Sequence, residues 1–355
     1  MKPVGIGILG VGQVVRAFHL PALAGNVRAR VVALGNHRAE TLQSVADDFQ
    51  VAKTYTDLNR MADDPEIDAI LIALPNALHS PLAVRMLEAG KHVFCEKPMA
   101  ISVRQACQMA SAAASAQRTL LIGQVWRHSP EVQWLRDVVR SGVLGTIYKV
   151  RAHAVVAGRG PKPDSWFVRP ELAGGGALAD VGIHSLDTIS FLFDDHPEPV
   201  SVSARIGNSF QSLDVEDTAS VWIEYDNGMA AEIEAGWYCP HASEPHGAVQ
   251  LFGTLGYARI LPAWQRFRTR DGWKELVPQL SCDHPDDDPA IYCTQMEHFL
   301  DTILMGARPA CDARQGLRNM ILLEAAYRSA AERTSVSPEP RSSVLSRKSS
   351  RGAWA

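Results

Sequence analysis

The feature that most constrains this chain is an alternation in its first 125 residues. Five short runs are apolar on both faces: Val4–Leu9 (VGIGIL), Arg30–Leu34 (RVVAL), Asp68–Leu74 (DAILIAL), His92–Cys95 (HVFC) and Thr119–Ile122 (TLLI). Between them lie Gln13–Ala24, Ala39–Phe49, Leu78–Ala89 and Val103–Ala116, whose apolar residues recur at helical spacing, as in Leu42, Val45 and Phe49. A strand apolar on both sides must be covered on both sides, which is the condition of a parallel sheet. Strands alternating with helices predict βαβ units and a doubly wound parallel sheet of the α/β class, a Rossmann domain.

The second half has a different grammar. Ile147–Val156, Val200–Ile206, Thr218–Tyr225, Met229–Trp237, Ala248–Phe252 and Tyr257–Leu261 read as strands, most of them consecutive and joined by short turns such as Asp226-Asn227-Gly228. Helical segments flank them at Pro130–Arg140, 180–193, 290–305 and 313–333. This predicts an α+β domain with a large, mostly antiparallel sheet. A chain of 355 residues suits two domains, placed here at 1–125 and 126–335. Residues 336–355 are rich in Ser, Arg and Pro and nearly free of core-forming side chains, the composition of a disordered tail.

Composition narrows the function. A net charge of -4 gives no basic face for nucleic acid. No apolar run approaches a membrane span, and the N-terminus enters a strand at once, without the pattern of a secretory signal. The six cysteines are irregularly spaced and form no C-x-x-C pair, which argues against a disulfide framework or a structural zinc and suits a reducing cytoplasm. Cys282, His284 and Cys293 lie in SCDHPDDDPAIYC, which reads as a solvated loop rather than a metal site, so no metal is expected.

A first candidate site follows the opening strand. Gly10-Val11-Gly12 stands between strand and helix; the first glycine permits a tight turn, and the second lets backbone amides approach a pyrophosphate at the helix N-terminus. Gln13 and Val14 open the helix beside it, and Val15 stands where a third glycine usually falls. The second strand ends in Gly35-Asn36-His37-Arg38, with no carboxylate for an adenosine ribose. That removes repulsion against a 2′-phosphate, and Arg38 or a protonated His37 offers a counter-charge. NADP(H) is therefore favoured, with NAD(H) possible; Arg38 equally suits a solvated first turn. Leu74, Asn76 and His79, in LPNALH, follow another strand and are placed to reach the cofactor, although His79 also suits a plain helix start.

Two further stretches carry chemistry. In KHVFCEKPM, Glu96 and Lys97 end an apolar run at the sheet edge where ligands bind, and Pro98 favours an extended backbone at Lys97. A solvated turn is the alternative. In GGGALADVGIHSLD, Asp180, His184 and Asp187 fall at i, i+4 and i+7 on one helix face, behind three glycines that would let a substrate approach the backbone. Asp180 alone suits an N-cap, His184 alone a core histidine, and Asp187 either a site residue or a group that fixes the imidazole tautomer.

Taken together, G-x-G, LPNxxH, CEKP and GGGxLxDxGxHxxD resemble the glucose–fructose oxidoreductase / inositol dehydrogenase family, Gfo/Idh/MocA, across residues 3 to about 335. FLDTILMGARPACDARQGLRNMILLEAAYRSA resembles the last helices of that family. The resemblance implies hydride transfer between C4 of a bound nicotinamide and a carbinol or carbonyl carbon of a sugar, polyol or related molecule. It implies Lys97 as the active-site lysine with Glu96 as its partner, and Asp180 and His184 as the acid and histidine of the catalytic helix. By the same resemblance Arg127, in VWRHSP, lies near the substrate, and Trp166 and Arg169 line its pocket. A homo-oligomer, dimer or tetramer, assembled through the second-domain sheet is also implied. Two other activities occur within the resemblance: glycosidases that work by transient oxidation of the sugar, and non-catalytic dinucleotide-binding regulators, which would be expected to lack the lysine or the histidine. Reduction of an imine or a tetrapyrrole is a further variant.

Overall fold

The computed structural model describes residues 2–158, 160–240, 246–280 and 287–339. The first unit is a sheet of six parallel strands: β1 (Val4–Leu9), β2 (Ala29–Gly35), β3 (Lys53–Tyr55), β4 (Ala69–Ile72), β5 (His92–Glu96) and β6 (Leu120–Gly123). Their order is β3-β2-β1-β4-β5-β6. The connecting helices are α1 (Leu20–Ala24), α2 (Ala39–Asp48), α3 (His79–Glu88) and α4 (Val103–Ala116), and a π-helical turn, Val15–His19, leads into α1. From β1 the chain winds outward to one side and from β4 to the other. A crevice opens where the two directions part, at the C-terminal ends of β1 and β4. β1, β4 and β6 are buried along their whole length, as their doubly apolar sequences require. β3 is three residues long and only half-buried, so it left no such signature.

The second unit begins with α5 (Pro130–Ser141) and contains β7 (Ile147–Val155), α6 (Pro170–Ala173) and α7 (Ile183–Leu192), the last entered through a second π-helical turn, Leu178–Gly182. The chain then forms β8 (Pro199–Gly207), β9 (Thr218–Tyr225), β10 (Ala230–Gly236), β11 (Ala248–Gly253), β12 (Gly256–Arg259), β13 (Trp264–Thr269) and β14 (Gly272–Leu276). The eight strands run β14-β13-β12-β11-β7-β10-β9-β8, antiparallel except for the β7–β10 pair. Burial alternates residue by residue along β9, as it must when one face meets helices and the other does not. The uncovered face carries Tyr148, Trp222 and Trp273.

Two last helices, α8 (Pro289–Leu304) and α9 (Ala313–Glu332), return to the first unit. Met296, Phe299 and Leu300 of α8 pack in one core with Ile6, Ile8, Leu34 and Phe94. Arg28 reinforces the contact through Asp301, at 2.6 Å. α9 lies between α4 and β8 and opens on a capping box formed by Asp312 and Gln315. Val336 exchanges two backbone hydrogen bonds with Val202, both 2.9 Å; residues 340–355 of the expected tail lie outside the described residues. No helix among the described residues is long and apolar enough to cross a membrane. No described group of three His, Cys, Asp or Glu is placed to hold a metal; Cys282 and His284 lie outside the described residues, and Cys293 is exposed on α8.

Candidate active site

A cleft of about 1130 Å³ opens over the C-terminal edge of the parallel sheet. The loops after β1, β2, β4, β5 and β6 form one wall. Residues 155–157, Trp166, Asp180, His184 and His246 form the other. At the nucleotide end, Gly10 has φ +100°, and a Cβ there would collide with the carbonyl oxygen of Ala73, so the turn itself demands glycine. Gly12 is different. A Cβ on Gly12 would meet no heavy atom within 4 Å, so packing does not require a glycine there. Its missing side chain leaves an open cradle at the start of the helix, with Gln13 and Val14 beside it, and this shape fits a pyrophosphate. Val15 is fully buried in the core. Asn36, His37, Arg38 and Thr41 line the cleft beyond β2. Asn36 is buried, its backbone N–H donating to Tyr55 O at 3.0 Å, while Arg38 is exposed and pairs with no described carboxylate. Leu74 and Asn76 line the floor, and Asn76 Nδ2 also donates to Ala173 O at 2.8 Å across the two units.

At the other end, Lys97 leaves β5 and reaches across the cleft. Its Nζ donates to Asp180 O at 2.7 Å and to Asp180 Oδ1 at 2.9 Å. Asp180 Oδ2 accepts from Trp237 Nε1 at 3.2 Å. Glu96 lies behind the lysine, with Oε1 2.6 Å from His19 Nε2 and Oε2 accepting from the Lys97 backbone N–H at 3.2 Å. Burial alone would push the Glu96 carboxyl up, but the contact with His19 together with the charge and backbone N–H of Lys97 outweighs it and holds the group below the usual carboxylate range. His184 is buried and stacked face-on against Trp126, with centroids 4.7 Å apart and planes at 13°; His246 meets the same indole edge-on.

Asp180 and His184 thus line the cleft together, but Asp187 does not. The wide turn over Leu178–Gly182 brings Asp180 and His184, four residues apart, more nearly above one another. Three further residues at about 100° each carry Asp187 roughly 60° off that face. There Asp187 receives both prongs of Arg127, each at 2.7 Å, and Asn319 Nδ2 at 2.6 Å. This corrects the expected place of Arg127: it is 1% exposed, spent on Asp187, and does not reach the substrate side. His79 is likewise withdrawn. Its ring nitrogens lie 2.9 Å from Leu74 O and Pro98 O, so it ties two cleft loops together without lining the cleft. Arg169 is exposed outside the cleft, as the N-cap of α6, while Trp166 lines it. The three glycines serve packing rather than substrate approach. A Cβ on Gly174 would strike Ile101, one on Gly175 the Tyr327 hydroxyl, and one on Gly176 the backbone of Glu216.

Several site residues escaped the sequence. Glu216 caps the helix that carries Asp180 and His184 by accepting from Gly176 N at 2.8 Å and Leu178 N at 2.9 Å, a contact spanning some 40 residues with no local signal. Trp126 and Trp237 touch His184 and Asp180 from distant segments. Tyr292 of α8 enters the nucleotide end, stacked on Phe18. His19 had one legible hint, a histidine in the helix that follows G-x-G.

Comparison with known proteins agrees with this geometry. Residues 4–124 match the model described as the oxidoreductase family, NAD-binding Rossmann fold, and residues 132–259 match the GFO/IDH/MocA C-terminal domain. The chain belongs to the Gfo/Idh/MocA family. Among the family's members, the chain is 29% identical over 354 residues to D-glucoside 3-dehydrogenase of Escherichia coli K12, covering 94% of this chain and 97% of that protein. It is 27% identical over 351 residues to the NADP(+) D-xylose 1-dehydrogenase of Haloarcula marismortui, covering 94% and 93%. The crystal structure of the aldose-aldose oxidoreductase of Caulobacter crescentus superposes with a TM-score of 0.81 at 27% identity, over 95% of this chain and 100% of that one. As a Gfo/Idh/MocA protein with this Rossmann domain, the chain is an NAD(P)-dependent oxidoreductase.

Proposed function

We propose that this Gfo/Idh/MocA protein transfers a hydride between NADP(H) and a carbinol or carbonyl carbon of a sugar or polyol. The observation that carries the reading is one meeting: Lys97 from the parallel sheet and Asp180 and His184 from the second unit converge in the cleft that begins at the Gly12 cradle. Gly10, Gly12, Gln13 and Val14 hold the pyrophosphate, and Asn36, His37 and Arg38 receive the adenosine ribose and its 2′-phosphate. Leu74, Asn76 and Glu96 hold the nicotinamide half. When bound, the nicotinamide supplies or takes up the hydride. Lys97 donates to the reacting oxygen and stabilises the charge that develops on it. His184, with a reference pKa near neutrality, carries the proton. Asp180 holds the lysine amine, and Trp166, stacked on Phe167 at 3.9 Å, offers a flat apolar face to the sugar ring. The uncovered face of the second sheet, with Tyr148, Trp222 and Trp273, supports a homo-oligomer. The cysteines among the described residues are free, which supports a reducing compartment.

A thermal-shift titration with NAD⁺, NADP⁺ and their reduced forms tests the cofactor: NADP(H) raises the melting temperature more than NAD(H), because a ligand held by the native state stabilises it. A panel of polyols and keto-sugars, followed by reduced-nicotinamide absorbance, then tests the reaction. Lys97→Ala is expected to lower turnover by roughly a thousandfold or more while the NADP(H) shift persists. Near-normal turnover by this variant removes Lys97 from the mechanism, and equal shifts with both cofactors remove the 2′-phosphate site.

A further inference from the structure

Asp180 is held from both sides of the cleft. Lys97, from the first unit, meets Oδ1 at 2.9 Å and the main-chain oxygen at 2.7 Å. Trp237, from the second unit, meets Oδ2 at 3.2 Å. Trp237 follows β10 directly and is 2% exposed, and its backbone N–H donates to Asp217 O at 2.8 Å, so the sheet fixes the indole. The Asp180 side chain, by contrast, is 24% exposed. A carboxylate partly in water and gripped at one oxygen is free to turn about its last bond and exchange the amine for solvent. A second donor on the other oxygen removes that freedom. An indole N–H is well suited to this task, because it only donates and holds no proton that titrates in the working range.

We propose that Trp237 is a positioning residue for the reaction: its N–H locks the Asp180 carboxylate, and the locked carboxylate sets the place of the Lys97 amine. The inference deepens the proposed reaction and rests on Lys97 as the group that binds the reacting oxygen. It predicts that losing the N–H loosens Lys97 even though Lys97 and Trp237 lie in different units of the fold.

The test reads the amine itself. The full-length protein is labelled with trace acetic anhydride, and the acetylation of Lys97 is measured by peptide mass spectrometry against the exposed Lys274 of β14. Trp237→Phe is expected to raise Lys97 labelling by about tenfold, the loss of one hydrogen bond to a charged group. Asp180→Asn should raise it similarly, and the double variant no further than Asp180→Asn alone, because Trp237 acts through Asp180. With any substrate that the panel identifies, Trp237→Phe should lower kcat and leave the KM for NADP(H) unchanged. Should Trp237→Phe fail to fold, 3-benzothienyl-alanine at position 237 keeps the ring shape and replaces only the N–H. Unchanged labelling in that variant or in Trp237→Phe overturns the proposal, as does full additivity in the double variant. If the wild-type protein turns over no sugar or polyol, the functional reading falls, while the labelling cycle still decides the role of Trp237.

Discussion

His128 ties the turn between the two units to pH. It sits in the short 3-10 turn Val125–His128 that also carries Trp126 and Arg127. Burial first, then the nearby His298 and Arg127, pull its pKa down to about 3. The unfolded chain takes up the proton near pH 6.5, well before the folded one does, so acid favours unfolding from about pH 6.5 down to the folded value. In that window His128 costs about 1.4 kcal/mol per pH unit. Glu96 has the opposite history: its lowered carboxyl adds stability that is lost only below the ordinary Glu value, at more acid pH. Urea unfolding at pH 7.5 and 5.0 separates the two. Between these conditions His128→Asn is expected to lose about 2 kcal/mol less stability than the wild type, and an unchanged difference would show that the imidazole is already charged in the fold. Lys97 and His184 were legible at this scale because each sits at a position that a strand end or a helix face marks in the sequence. Arg127 was misplaced because its partner, Asp187, lies 60 residues on, and only folding shows that the pair satisfies itself.

Gly10 and Gly12 are two residues apart in one turn, yet the structure separates their reasons. Gly10 is required by the backbone, with φ +100° and the Ala73 carbonyl against it; a Cβ on Gly12 meets no heavy atom of the described residues within 4 Å. Gly10→Ala should therefore lower the melting temperature of the protein alone, whereas Gly12→Val, whose Cβ points into open space, should leave it within about a degree or two. Nucleotide addition reverses the ranking for Gly12→Val: the thermal shift with NADP⁺ disappears. A retained shift in Gly12→Val would move the pyrophosphate elsewhere. The same elements show where pattern reading works. Doubly apolar strands and amphipathic helices declared themselves, since burial on both faces or on one stripe is written in the side chains. β13 and β14 did not: β14 is exposed at all five positions and has no buried face to read. The π-helical turn before α7 is also silent in sequence, because a spacing of four residues looks the same whether the turn is tight or wide.

On the scale of the whole molecule, the chain closes on itself. The sheet that forms the nucleotide end is covered on one face partly by α8, which lies more than 250 residues after β2 and supplies Met296, Phe299 and Leu300 to the core around Ile6, Ile8, Leu34 and Phe94. Phe299 is 1% exposed and sits edge-on to Phe94, with centroids 5.6 Å apart. The sequence placed a helix there but gave no sign of which unit it would cover, since an apolar stripe does not name its partner. The consequence is cooperative. Residues 1–125 alone would expose the apolar surface that α8 covers, and should populate a loosened state with weak nucleotide binding. Phe299→Ala removes a large buried ring, at a cost of about 3–5 kcal/mol, and the loss should appear in the nucleotide-binding sheet as much as in α8. Amide hydrogen exchange followed by mass spectrometry reads this directly. Peptides covering β1 and α8 are expected to lose protection together in Phe299→Ala, and the NADP⁺ thermal shift should weaken with them. Full protection of β1 beside an exchanging α8 would mean that the parallel sheet holds its own core, and that the last helices only lean on it.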